Sequence, residues 1–219
     1  IQSKDLDLKD KIILIRLDLN VPLKGNIIID TNRIDKIIPT LKFLLHNKSK
    51  LLILSHIGRP KGKITKELSL KPVRDELNKK LNQKVILNSE NINKIKVENL
   101  FNSECRVVML ENLRFYKEEE NDDHSFAKNL AKLGDIYVNE AFSCSHRKHA
   151  SVHSITNFIS SYSGNLFELE VNSLKKITEN IKRPISCVIG GSKISTKITV
   201  IKNLISKFDN IIFVGGMAN

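Results

Sequence analysis

The chain has 219 residues, three cysteines, no tryptophan and a formal net charge of +12, enough length for one medium α/β domain or for one domain and part of a second. Cys105, Cys144 and Cys187 show neither paired C-x-x-C spacing nor the histidine pattern of a zinc site, so we expect a reduced, cytoplasmic protein without disulfides. The first residues are charged and polar, and no stretch offers the roughly 20 apolar residues of a membrane span, so we expect neither export nor membrane binding.

Short runs of Ile, Val and Leu alternate with amphipathic stretches along the whole chain. This pattern is typical of parallel strands buried between two layers of helices, and it predicts a doubly wound parallel sheet, a Rossmann-like three-layer α/β fold. The predicted elements, in chain order, are strand 12–17, a helix after the cap candidates 30–32, strand 51–54, a helix from Ser69, strands 84–87 and 106–110, helix 123–133, strand 136–139, helix 166–180, strand 185–189, helix 195–208 and strand 210–214.

The predicted domain organisation has three parts. Residues 1–165 form a complete domain, residues 166–182 form an interdomain helix, and residues 183–219 begin a second domain with one βαβ unit. Because the chain stops directly after a strand, we expect that second domain to be truncated.

Arginines and other polar residues follow the predicted strands at one edge of the sheet. Ligands of open parallel sheets bind beyond the carboxyl ends of the strands, so these side chains are expected to converge there. Arginine pairs with two oxygens of a carboxylate or phosphate at once, whereas lysine acts as a point charge. The sequence therefore predicts a shaped anion site, whose candidates are Asp18, Asn20, Arg33, His56, Arg59, Arg114 and Arg147, with His146 and His149 nearby.

A second cluster, Gly190 to Lys197, follows the strand 185–189. Glycines let the backbone approach a phosphate, and a helix amino terminus offers free N–H groups, so Lys193 and Lys197 could hold phosphates here. The spacing is not that of a Walker A motif, and an ordinary strand-to-helix turn stays open as the alternative.

Other chemistries fit the sequence less well. The lysines are scattered along presumed helix faces and aromatic residues are few, which argues against nucleic-acid binding. We expect no metal site on the protein residues, because arginines surround the histidines and no carboxylate accompanies them at ligand spacing. No Ser-His-Asp or Cys-His order indicates a nucleophile and its base.

Eight segments resemble, in order, the motifs of the phosphoglycerate kinase family, and they run through the whole chain. They are 16–22 (RLDLNVP), 33–34 (RI), 39–40 (PT), 55–60 (SHIGRP), 110–115 (LENLRF), 146–149 (HRKH), 190–198 (GGSKISTKI) and 215–218 (GGMA).

The resemblance implies a glycolytic phosphotransferase, which moves a phosphoryl group between 1,3-bisphosphoglycerate and ADP to give 3-phosphoglycerate and ATP with Mg²⁺ on the nucleotide. It implies that the seven candidates above bind 3-phosphoglycerate and that Arg33 and Lys193 are catalytic. Nucleotide contacts are implied for Gly191, Ser192, Lys193, Lys197 and Gly216. We also expect a monomer that, as a 219-residue chain, is inactive alone, since most of the family's adenosine and magnesium contacts lie beyond Asn219.

The sequence also departs from the family. Leu19 stands where Phe is usual, Glu140 where Asp is usual, and Ser143-Cys144-Ser145 where Gly-Thr-Ala is common; Ser192 replaces a usual Ala. These residues neighbour the implied contacts without altering them. A noncatalytic phosphometabolite-binding domain remains the alternative; it would need the arginines but neither Lys193 nor Lys197.

Overall fold

The computed structural model describes residues 6–179, 181–191 and 198–218. The chain divides into two compact units, Ile1–Glu168 and Leu169–Asn219. The division lies inside the helix that was expected to join two domains.

The described residues form ten strands and six α-helices. The strands are β1 (Ile12–Arg16), β2 (Leu23–Lys24), β3 (Ile27–Ile28), β4 (Lys50–Leu54), β5 (Val85–Asn88), β6 (Val107–Leu110), β7 (Ile136–Asn139), β8 (Ser161–Ser163), β9 (Ser186–Gly190) and β10 (Asn210–Val214). The α-helices are α1 (Asn32–His46), α2 (Lys71–Leu81), α3 (Lys117–Glu120), α4 (His124–Ala131), α5 (Asn165–Thr178) and α6 (Ile198–Ile205).

The first unit contains a six-stranded parallel sheet in the order β5-β6-β4-β1-β7-β8. The fold class expected from the sequence is thus confirmed. Strand β1 lies near the centre, in register with β4 on one side and β7 on the other, so that Ile13 pairs with both Leu51 and Ile136.

Both faces of this sheet are buried. Ile13 and Ile15 belong to a core that includes the apolar stripe of α1, whereas Leu14, on the opposite face, packs in a core that includes Phe126 and Leu130 of α4. Side chains of a strand alternate between its two faces, so a strand buried on both is expected to be largely apolar, as β1 is from Ile12 to Ile15, before Arg16 ends it.

Several short elements escaped prediction from the sequence. Strand β8 has the sequence Ser-Tyr-Ser and is partly exposed, and the β2–β3 hairpin pairs only two residues from each strand. Neither has the apolar run that marks a buried strand. The predicted start of α2 at Ser69 is two residues early, because Ser69 and the amide of Leu70 bind the Glu111 carboxylate ahead of the helix.

The second unit contains the parallel pair β9 and β10 and helix α6. The predicted start of α6, Ser195, lies outside the described residues. Within the parts of the chain that the structure describes, no helix combines the length and apolarity that crossing a membrane requires.

Candidate functional site

The seven residues predicted to bind an anion line one cavity of about 230 Å³ in the first unit. Gly58, Ser143 and Cys144 complete its wall. The predicted set comprises Asp18, Asn20, Arg33, His56, Arg59, Arg114 and Arg147.

The topology of the sheet accounts for this convergence. Most cavity residues follow β6, β4, β1 and β7, which lie side by side in that order, and Arg33 lies in the first turn of α1, after the β2–β3 hairpin. Parallel strands end at the same edge of a sheet, so loops distant in sequence meet there.

Asp18 ties two walls of the cavity together. Its carboxylate accepts hydrogen bonds from the Arg33 guanidinium at the start of α1 and from the Ser143 hydroxyl in the loop after β7. Next to it, the amide oxygen of Asn20 accepts a 2.9 Å hydrogen bond from the backbone N–H of Gly58. The loop after β1 is therefore joined to α1 and to the loops after β4 and β7.

Asn112 and Arg114 join the loop after β6 to the loop after β4. The Asn112 side-chain amide donates to the carbonyl oxygens of Ile57 and Leu68, at 2.8 and 2.9 Å. Arg114 donates from Nη1 to the carbonyl oxygen of Gly58, 2.8 Å away. Gly58 has a φ of 63°, and a Cβ there would lie 2.7 Å from Leu68 Cδ2, so the turn requires glycine.

The four arginines differ in exposure. Arg114 is 4% exposed, and burial, together with the neighbouring Arg147 and Arg16, lowers its pKa despite the opposing attraction of Glu120. Arg59 and Arg147 are exposed, and the Arg33 side chain is 48% exposed at the rim. Arg114 thus lies deep in the cavity wall, where a group that binds it would be shielded from water.

His56 is buried in the cavity wall, close to several positively charged groups. Burial and the positive charge of Arg16, whose Nη2 lies 2.9 Å from His56 Nδ1, lower the pKa of His56 to about 2. Arg114, His149 and Arg147 act in the same direction. The imidazole is therefore neutral at physiological pH, and it can donate or accept a hydrogen bond without adding charge.

The other two histidines named near the predicted site are not part of the cavity wall. His146 is exposed and is not part of the cavity wall, and His149 is buried with Nδ1 4.0 Å from Glu119 Oε1. Of the three histidines, only His56 therefore lines the cavity, while His149 lies close enough to lower the pKa of His56.

One group of possible metal ligands lies in the cavity wall. Potential ligand atoms of Asp18, His56 and Cys144 are within 4.8 Å of one another. The Asp18 carboxylate is already bound by Arg33, and the other three arginines line the same cavity. Since these positive charges attract anions and repel cations, the charges of the wall favour an anionic ligand.

Sequence reasoning did not include Gly58, Ser143 and Cys144 among the contacts. Ser143 and Cys144 lie in the loop after β7, so their position at the carboxyl edge of the sheet was the available signal.

The predicted nucleotide residues are described in part. Gly191 and Gly216 are exposed just beyond the carboxyl ends of β9 and β10. Gly215, between the end of β10 and Gly216, has a φ of 67°. Exposed glycine backbone at these strand ends suits close approach of a phosphate. Ser192, Lys193 and Lys197 lie outside the described residues.

Comparisons with known proteins agree on one family. The family model described as phosphoglycerate kinase matches residues 3–219. The chain is 42% identical over 218 residues to the phosphoglycerate kinase of Finegoldia magna, covering 98% of this chain and 55% of that protein. It is 44% identical over 219 residues to that of Orientia tsutsugamushi (strain Ikeda), covering 100% of this chain and 54% of the relative.

Solved structures give the same result. The structure of phosphoglycerate kinase from Coxiella burnetii matches with a TM-score of 0.86 and 39% identity, over 98% of this chain and 54% of that one. The crystal structure of the enzyme from Pyrococcus horikoshii OT3 matches with a TM-score of 0.88 and 27% identity, over 99% and 55%. The chain spans about half the length of the relatives it matches. By sequence and by structure, this chain belongs to the phosphoglycerate kinase family.

Proposed function

We propose that the protein is a glycolytic phosphoglycerate kinase, which transfers a phosphoryl group reversibly between 1,3-bisphosphoglycerate and ADP. In this proposal the cavity after β1, β4, β6 and β7 binds 3-phosphoglycerate. The substrate contacts are Asp18, Asn20, Arg33, His56, Arg59, Arg114 and Arg147.

One observation carries the proposal: four guanidinium groups from separate segments line a single cavity of about 230 Å³. A small metabolite with a carboxylate at one end and a phosphate at the other presents two anionic groups, each able to pair with an arginine fork. Asp18 and Asn20 add an acceptor and an amide, which suit a substrate hydroxyl.

This chemistry needs no general base in the protein. A carboxylate that accepts the phosphoryl group is already ionised at neutral pH, so catalysis consists of positioning the reactants and neutralising charge on the phosphoryl oxygens. We infer that Arg33 neutralises charge on the phosphoryl oxygens. Its guanidinium is held by Asp18 at the start of α1, and its side chain is half exposed at the rim of the cavity. Lys193 is proposed as the second catalytic residue on the family motif alone.

The phosphoryl donor or acceptor is proposed to be ADP or ATP with Mg²⁺. Gly191 and Gly216 would let the backbone approach its phosphates, and Ser192, Lys193 and Lys197 are proposed contacts from the family motif. The bound magnesium nucleotide would supply the transferable phosphoryl group.

We further propose that residues 1–219 alone bind 3-phosphoglycerate but do not transfer phosphate at a normal rate, since the matching relatives are almost twice as long. The boundaries 1–165, 166–182 and 183–219 stay predictions, as do a cytoplasmic location and a monomeric state.

Calorimetry with 3-phosphoglycerate, with glycerate and inorganic phosphate as control ligands, tests the substrate directly. We expect one site per chain, with 3-phosphoglycerate binding at least about tenfold more tightly than either half of it, because two anionic groups are held at once. A coupled assay of ATP formation from 1,3-bisphosphoglycerate tests the reaction. Binding without turnover in the natural gene product, as distinct from residues 1–219 alone, would favour the noncatalytic alternative, and equal affinity for all three ligands would refute the proposed site.

A further inference from the structure

Arg16, the last residue of β1, is fully buried beside the cavity but is not part of its wall. A buried charge is costly unless it is paired and hydrogen-bonded. All three nitrogens of the guanidinium have contacts: Nε donates to Ser151 Oγ at 3.0 Å, Nη1 to the Leu17 carbonyl oxygen at 2.5 Å, and Nη2 lies 2.9 Å from His56 Nδ1.

Glu119, which is also fully buried, is linked to Arg16 through Ser151. The Ser151 hydroxyl donates its proton to Glu119 Oε1 at 2.6 Å, so it must accept from Arg16. The Ser151 amide donates to Glu119 Oε2 at 2.9 Å. Arg16 and Glu119 are therefore two buried charged groups linked through one hydroxyl group.

This arrangement determines where the proton of His56 lies. An arginine is always protonated and can only donate, so Nδ1 of His56 must accept the hydrogen bond from Nη2. A neutral imidazole that accepts at Nδ1 carries its proton on Nε2. Among the described residues Nε2 has no hydrogen-bond partner, and the ring lines the cavity.

We propose that Arg16 is a positioning residue that holds His56 as the Nε2–H tautomer, so that the ring offers the bound anion one fixed, uncharged hydrogen-bond donor. The role of the anion rests on the proposed function above. Arg16, Arg114, Arg147 and His149 face the ring and disfavour its protonation, whereas Asp18, close by in the cavity wall, favours it. Burial of the ring adds to the effect of the positive groups, so donation at Nε2 should persist over the physiological pH range.

The first test uses the ligand-free protein and does not depend on any substrate. Nitrogen-15 spectra of the imidazole rings, with His56 assigned by its absence in His56→Gln, distinguish the two neutral tautomers from imidazolium. We expect His56 to be Nε2–H at every pH from about 5 to about 9, because its pKa lies near 2. A ring protonated at Nδ1, or one that titrates near neutral pH, would overturn the proposal without any variant.

The second test removes both buried charges together, in Arg16→Met/Glu119→Gln, so that neither is left unpaired. We expect mixed tautomers of His56 and protonation at acid pH. The dissociation constant for 3-phosphoglycerate should rise by at least about twofold at pH 8, because the apparent affinity falls in proportion to the fraction of rings that keep the proton on Nε2. The loss should shrink at pH 6, because the imidazolium again presents an N–H toward the ligand.

Arg106→Met is the matched control for these measurements. Arg106 precedes β6 at the opposite end of the sheet, and its Nη2 donates to the carbonyl oxygens of Leu45 and Ser49 at 2.9 and 2.8 Å. Its replacement should leave the His56 spectrum and the pH dependence of binding unchanged. A merely structural role for Arg16 predicts that both variants lower stability and that neither changes the tautomer.

The outcomes separate the two proposals. If the tautomer is held in the unmodified protein and lost in the double variant, but 3-phosphoglycerate does not bind, the role of Arg16 stands and the proposed substrate fails. If the double variant keeps the Nε2–H tautomer, or binds 3-phosphoglycerate as the control does, the role of Arg16 is refuted. Should the double variant not fold, the spectrum of the unmodified protein still shows which tautomer His56 adopts. Arg16→Lys is then measured as the second variant.

Discussion

Arg114 donates a hydrogen bond from Nη1 to the carbonyl oxygen of Gly58, 2.8 Å away, and this bond joins the loops after β6 and β4. The Nε of the same guanidinium is buried and, among the described residues, has no hydrogen-bond partner; its closest carboxylate oxygen, Glu120 Oε1, is 3.5 Å away. A buried donor without a partner costs free energy, which an anion bound beside it could recover.

Replacing Arg114 with methionine should therefore weaken 3-phosphoglycerate binding strongly. Hydrogen bonds to charged groups contribute about 1.5–3 kcal/mol, so we expect the dissociation constant to rise by about 10- to 100-fold. Calorimetry measures it, with Arg106→Met as the control for loss of a partly buried arginine. An affinity within twofold of the unmodified protein would exclude Arg114 from the site.

Arg33→Ala should lower kcat far more than it weakens substrate binding. Arg33 is half exposed at the rim and is proposed to neutralise the phosphoryl group mainly in the transition state. Steady-state kinetics of the natural gene product, rather than of residues 1–219 alone, give kcat and KM separately, and Arg74→Ala, which removes an arginine paired with Asp75 on α2, serves as the control. A normal turnover number would remove Arg33 from the mechanism.

His56 should make the protein less stable at mildly acid pH. Its pKa is about 2 in the folded protein against 6.5 without the fold, so below pH 6.5 only the unfolded chain takes up this proton. The contribution of His56 is complete above pH 6.5 and is lost at about 1.4 kcal/mol per pH unit below it.

Urea unfolding of the protein and of His56→Gln from pH 7 to pH 5 measures this contribution. Glutamine can still accept the hydrogen bond from Arg16 but cannot titrate, so its unfolding free energy should fall less steeply. His149, whose pKa is lowered mainly by burial, adds the same slope to both proteins and cancels in the difference. Parallel slopes would show that His56 is not held neutral by the fold.

Glu140 should be important for stability because it caps α5. Its buried carboxylate accepts hydrogen bonds from the amides of Leu166 and Phe167 at 3.3 and 2.9 Å and from Thr40 Oγ1 at 2.5 Å. Glu140→Ala leaves these donors unsatisfied, and we expect a loss of about 2–4 kcal/mol in urea unfolding.

Two further variants check this interpretation of Glu140. Glu140→Gln keeps the side-chain length and one acceptor oxygen, so its loss should be intermediate. Gly164→Ala should also destabilise, because a Cβ at that position would lie 2.0 Å from Glu140 Cδ. A loss below about 0.5 kcal/mol in Glu140→Ala would show that the capping contacts contribute little.

The strands of the six-stranded sheet other than β8 could be predicted from sequence because they are largely apolar. β7 has the predicted bounds, and β1, β4, β5 and β6 differ by a residue at one or both ends; β10, which is mostly exposed, also has the predicted bounds because it is an apolar run. Strand β8 could not be predicted, since its residues Ser161–Ser163 pair at the edge beside β7 through backbone bonds that leave no apolar pattern.

The cavity was predictable to the extent that it depends on topology. Residues that follow parallel strands meet at one edge, and this rule brought seven candidates to one cavity. Contacts between side chains distant in sequence were not predictable, such as Ser143 with Asp18, 125 residues apart, or Arg16 with His56, 40 residues apart. They depend on how the loops pack after the sheet has formed.

A crystal structure of the protein soaked with 3-phosphoglycerate tests the central claim most directly. The account predicts electron density for one ligand among Arg33, Arg59, Arg114 and Arg147, with at least one of these guanidinium groups on its carboxylate and another on its phosphate. A ligand bound away from these four arginines, or an empty cavity at saturating ligand, would contradict it.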